Sequence, residues 1–137
     1  MYEWERYEDE AAARARENAE VILLFQRALE ESGLSPKTIR VHLRNISLYL
    51  NEYLQRDRPR SFADGASAAA LDDFFCYYDT QKCLWTTSAS LKTTAASIRK
   101  FYRCMLDAGR IGRGAFQEVS DTIRLNMPDW QKRLGIF

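Results

Sequence analysis

An all-α fold, a compact bundle of five or six helices, is predicted by three observations on this 137-residue sequence. Apolar residues recur at steps of three and four through most of the chain, the spacing that lines one face of an α-helix. No stretch shows the strict apolar/polar alternation between turn residues that marks a half-buried strand. Gly33, Pro59, Gly65 and Gly109 fall between the periodic segments, where they punctuate rather than interrupt.

Each element has its own warrant. From Trp4 to Ser32 there is no Pro or Gly, and Trp4, Tyr7, Ala11, Ala15, Ile22, Phe25 and Leu29 fall on one helical face. The apolar second half of this segment should enter the core. The acidic first half, residues 1–18, is a separate helix, a continuation or an arm. Gly33 closes the segment. Ser35 can then cap a new helix with Pro36 at its first position, where a missing N–H costs nothing. At roughly 100° per residue, Ile39, Leu43, Ile46, Leu50 and Tyr53 form one stripe of this second helix, with Lys37, Arg40, Arg44 and Asn51 nearly opposite. The polar run 55–61, which carries Arg56, Arg58 and Arg60, reads as a solvated loop. Residues 67–78 read as a short helix with Leu71, Phe74, Phe75 and Tyr78 inward, followed by a connector from Cys83 to Ala89 that includes Trp85.

The next helix should start near Ser88 or Ser90 and stop at Gly109. Its stripe is Leu91, Ala95, Ile98, Tyr102 and Met105, and Lys92, Arg99 and Arg103 lie opposite with Lys100 beside them. Gly112 and Gly114 make a corner. Phe116, Val119, Ile123, Met127, Trp130 and Leu134 outline a last helix over about 115–137, which Pro128 should kink or split.

Length is that of one domain spanning residues 1–137, large enough for a real core. No apolar run approaches a membrane span, and a polar, acidic N-terminus unlike a signal peptide points to the cytoplasm. Cys76, Cys83 and Cys104 lack ligand spacing and read as buried free thiols. The net charge is +1, but its distribution is uneven: residues 1–20 hold seven acids and three bases, 35–60 six bases and two acids, 88–113 six bases and one acid. The two basic segments share an S-x-K-T pattern at Ser35 and Ser90, so two similar helices each carry a basic face. Such faces are the footprint of an anion-binding surface or the ordinary solvated side of a helix.

Residues for catalysis are missing. His42, the single histidine, sits at the border of an apolar stripe, and one histidine with three dispersed cysteines offers no zinc site. Asp72 and Asp73 are adjacent and point to different sides of a helix, so they cannot act as an acid/base pair. Phosphate-binding glycine loops and nucleophile elbows are absent. No enzyme activity, cofactor, metal or small-molecule substrate is expected.

The run GLSPKTIRVHLRNISLYLNEYL, then LDDFFCYY, then SLKTTAASIRKFYRCMLDAGRI resembles the SAM-like core-binding domain of tyrosine recombinases, the phage integrase family, over about residues 20–112. The resemblance implies a helical module that clamps duplex DNA in recombination and integration. It assigns Lys37, Thr38, Arg40 and Arg44 to the DNA face of the second helix and Lys92, Thr93, Arg99, Lys100 and Arg103 to that of the fourth. The family's catalytic half, with its arginine pair, H-x-x-R and nucleophilic tyrosine, has no counterpart here; His42 is followed by Asn45 where that motif needs arginine. The expectation is a non-catalytic DNA-binding module. The other function class is a protein-interaction or regulatory module, partner of a recombinase or another protein, that keeps the fold without DNA binding. Its contacts would come from the acidic N-terminal helix or the aromatic third helix.

Overall fold

The computed structural model describes residues 2–78 and 87–134, with side chains from 3 to 76 and 87 to 134. Cys83, Trp85 and the side chains of Tyr77 and Tyr78 lie outside the described residues. Among the described residues there are five helices and no strand: α1 (Tyr2–Glu31), α2 (Pro36–Ser47, continued as a π-helix over Leu48–Tyr53), α3 (Ala68–Asp73, continued as a π-helix over Phe74–Tyr78), α4 (Ser88–Asp107) and α5 (Arg113–Leu134). A short 3-10 turn spans Phe62–Gly65. The helices fall into two compact units, Met1–Gly65 and Ala66–Phe137.

In the first unit the acidic segment is a continuation: α1 is one 30-residue helix. Its buried side chains are Asn18, Val21, Phe25 and Leu29, which pack on α2. Gly33 has φ +79, the left-handed turn that ends a helix, with Ser32 and Gly33 amides donating back to Ala28 and Glu30 carbonyls. Ile39, Ile46, Leu50 and Tyr53 are buried as their periodicity requires, and Tyr49 and Leu54 join them. His42 is buried too, 7% exposed, with its ring 6.4 Å from that of Phe25.

The π turn at the end of α2 was not legible in the sequence. It leaves carbonyls that other side chains must satisfy. The Leu50 carbonyl accepts from Asn18 Nδ2 at 3.2 Å and from Gln55 Nε2 at 2.9 Å. Arg60, expected to be solvated, instead donates from Nε to the Leu54 carbonyl at 3.0 Å and from Nη2 to the Tyr53 carbonyl at 3.2 Å, its guanidinium 5.1 Å from the Tyr53 ring centre. A cation at a helix C-terminus is favourable, and here it also caps. Gln55 ties the same loop with its carbonyl oxygen to the Arg60 amide. The Tyr49 hydroxyl donates to the Gly65 carbonyl at 2.6 Å and Ser61 Oγ to Glu17 at 2.8 Å, so the chain returns along α1 on fixed contacts.

In the second unit α5 packs along α4 and against α3. Leu91, Ala95, Ile98, Phe101, Tyr102 and Met105 of α4 are buried, as are Phe116, Val119 and Trp130 of α5. Phe75 stacks on Trp130 at 4.6 Å and meets Phe74 edge-on at 4.9 Å. Trp130 Nε1 donates to Asp72 at 2.9 Å, and Glu118 of α5 accepts the Ala68 amide at 2.7 Å, capping α3 from a neighbouring helix. Pro128 does not split α5: the helix runs through it, with buried Trp130 one half-turn beyond. The Phe75–Trp130 stack and the Asp72 bond hold the segment that the proline would release.

Substituting Ile46 or Ile98, both fully buried, with Ala should cost ~2–5 kcal/mol of unfolding free energy through transfer loss plus cavity. Denaturant melts check this; a neutral result would mean that the apolar faces do not pack as described.

Candidate nucleic-acid interface

The first basic face is set up by a cap. Ser35 lies in extended backbone, and its Oγ accepts the Thr38 amide at 3.2 Å while donating to Thr38 Oγ1 at 3.0 Å. α2 then starts at Pro36, and Lys37, Arg40 and Arg44 follow at three- and four-residue steps on its exposed side. No residue of Pro36–Ser47 is acidic. Lys37, Arg40 and Arg44 form no ion pair among the described residues. Asn51, which shares this side, is committed elsewhere: it accepts from Asn18 Nδ2 at 2.9 Å and donates to Ser47 Oγ at 3.0 Å. Arg40 and Glu30 border an open cleft of about 430 Å³ between α1 and α2, lined by Leu34, Ile39 and Leu43. That cleft is why Leu43, expected in the core, is only half-buried.

The second face has a different start. Thr87 is the cap of α4: its Oγ1 accepts the Ser90 amide at 3.0 Å and Ser90 Oγ accepts the Thr87 amide at 2.8 Å, a reciprocal capping box. Ser90 therefore lies inside the helix, and the two S-x-K-T copies are not equivalent. Thr38 is in the first turn of α2; Thr93 is a turn deeper in α4, donating to the Ala89 carbonyl at 3.1 Å. Lys92, Thr93, Arg99, Lys100 and Arg103 are all exposed, and Asp107 is the one acid of α4.

Two of these cations are braced. Arg99 donates from Nε to Ser120 Oγ at 3.2 Å, and its guanidinium lies 5.5 Å from the centre of the Phe116 ring. Arg103 lies 5.8 Å from the same ring and pairs with Asp107 at 3.3 Å. Each cation–π interaction at an exposed site contributes about 0.5–1 kcal/mol, and the exposed ion pair less. Their main effect is to hold two planar donors in defined places before any ligand arrives. Phe116 and Ser120 were missed as members of this face; their helical period was visible, but which helix they would meet was not.

The nine expected residues thus form two sets, four on α2 in the first unit and five on α4 in the second. Loop residue Arg60 does not add to either. What the surroundings offer is charge and donors. The half-buried Cys76 thiol is pushed up to about 11 by burial and then by the Asp72 carboxylate that accepts its hydrogen bond at 3.3 Å. Cys104, also half-buried where full burial was expected, is raised by burial and by Asp107. Neither presents a thiolate at neutral pH. Tyr49, Tyr53 and Tyr102 are packed in the cores. Among the described residues no group of three His, Cys, Asp or Glu side chains is placed to hold a metal ion, and no helix is long and apolar enough to cross a membrane.

Comparison of the chain with family models, with curated proteins and with solved structures yields no match.

With Cys83 and Cys104 replaced by Ser, Cys76 should react with iodoacetamide at pH 8 roughly a hundredfold more slowly than an unperturbed thiol, and accelerate as pH approaches 11. Mass-spectrometric alkylation rates check this. Free-thiol reactivity at pH 8 would remove Asp72 and burial as the controlling influences.

Proposed function

We propose that this chain is a non-catalytic duplex-DNA-binding module of the integrase core-binding type, acting in the cytoplasm. The observation that carries the reading is the α2 face: Lys37, Arg40 and Arg44 project from Pro36–Ser47, a stretch without an acid, at spacings that let them reach successive phosphates. The braced Arg99 and Arg103, with Lys92 and Lys100 beside them, supply a second set of donors in the other unit. Most of the affinity is electrostatic, since Lys and Arg displace counterions from the phosphate backbone. Base discrimination falls to Arg40 and Arg44, because each end of the Asn51 amide is already engaged by a side chain of this protein, Asn18 or Ser47.

Affinity for a labelled duplex, read by fluorescence anisotropy, should fall linearly as log affinity against log salt. Replacing Arg44 and Lys100 together with Ala should weaken binding and reduce the slope by roughly one unit for each phosphate that no longer meets a cation. Thermal stability should stay nearly unchanged, because both side chains are exposed and neither forms an ion pair among the described residues. Absence of binding at low salt, or indifference to the double substitution, would refute the reading. Incubation with duplex DNA should also leave no covalent protein–DNA adduct; a tyrosine-linked adduct would refute the non-catalytic part.

A further inference from the structure

We propose that the N-terminal half of α1 is a docking surface for a basic amphipathic helix of another protein, a function separate from DNA binding. The stripe of α1 that packs on the first unit, through Asn18, Val21 and Phe25, passes the half-buried Arg14, which pairs with Glu17, and continues toward the N-terminus at three- and four-residue steps through Ala11, Tyr7 and Trp4. There it loses its cover. Trp4 is 65% exposed and Tyr7 41%, and the two rings stack on each other with centroids 6.1 Å apart. A helix of 30 residues is about 45 Å long, and residues 3–10 are exposed throughout. Aromatic rings left in water on the extension of a packed stripe are what an incoming helix would cover.

The charges flanking the stripe select the occupant. Glu3 and Glu10 run along one edge and Glu8 along the other, and Glu5 and Asp9 add to the field, against Arg6 alone among residues 3–10. A nucleic acid is repelled by this surface. A second copy is disfavoured as well: in antiparallel pairing the Glu3 and Glu10 edge meets itself, and in parallel pairing Glu3 meets Glu8. A helix with apolar residues at heptad spacing and Lys or Arg beside them satisfies both the rings and the acids. Trp and Tyr are the residue types that dominate such contacts.

The test uses the full chain and labelled peptides: Leu and Lys in a heptad pattern, the same residues scrambled, and Leu and Glu in the heptad pattern. Anisotropy should show binding of the first only. Trp4→Ala with Tyr7→Ala should weaken it roughly tenfold or more, and leave thermal unfolding and the salt slope for duplex DNA unchanged. Glu3→Lys, Glu8→Lys and Glu10→Lys together should transfer binding to the Leu/Glu peptide. No binding of the Leu/Lys peptide, equal binding of the scrambled peptide, or insensitivity to the Trp4 and Tyr7 changes would overturn the proposal. Sedimentation showing a dimer that the same two changes dissociate would also overturn it, by making a second copy the occupant.

Discussion

A buried peptide group must find a hydrogen-bond partner, and this requirement organises the first unit of the chain. There the π turn at the end of α2 presents its carbonyls outside the regular ladder, and Asn18, Gln55 and Arg60 reach them from three different places. The consequence is a fixed path: α1 is tied to the end of α2, and the loop that follows is folded back on Tyr53. In the second unit a helix start is capped at an exposed position, where Glu118 of α5 receives the Ala68 amide. Net hydrogen-bond contributions are only about 0.5–1.5 kcal/mol each, but leaving such groups unpaired costs about 1–3 kcal/mol. They therefore select the arrangement more than they stabilise it.

The two basic faces differ in how they are held. On α2 the cations stand on a helix pinned by its cap and by Ile39 and Ile46 beneath, and their side chains are solvated. On α4 the ring of Phe116 and the hydroxyl of Ser120 hold Arg99, and Phe116 with Asp107 holds Arg103. A braced guanidinium loses less rotamer freedom on meeting a phosphate, so charge for charge the α4 arginines start with less entropy to surrender. Asp107 acts against this by offsetting one positive charge. The α4 face is thus distinguished by pre-placement of its arginines and the α2 face by charge density alone.

The acidic end of α1 is opposite in charge to both faces. It carries uncovered rings of its own, Trp4 and Tyr7, on a continuous helix. The C-terminal half of the 30-residue helix is anchored by Val21, Phe25 and Leu29, and the N-terminal half extends it without a new nucleus.

The all-α class, the helix stops at Gly33 and Gly109, the cap at Ser35 and most of the core residues of α2, α4 and α5 were legible in the order of the amino acids, while His42, Leu54 and Phe101 fell outside the stripes and Leu43 is only half-buried. The legible features are local properties: period, capping chemistry and left-handed glycines act within a turn or two of chain. The same reasoning placed all nine basic-face residues except Thr38 on fully exposed positions, since the side opposite an apolar stripe faces water in any helix packed on one side. Other features required the assembled helices. Arg60 looks solvated until its loop folds back on the end of α2. Pro128 looks like a break until Phe75 and Asp72 hold Trp130 beyond it. Trp4 and Tyr7 look like core because their spacing continues a core stripe, and nothing in that spacing says where the body beneath ends. Periodicity reports which face a helix would bury; whether a partner lies under that face is a matter of contacts far apart in the chain.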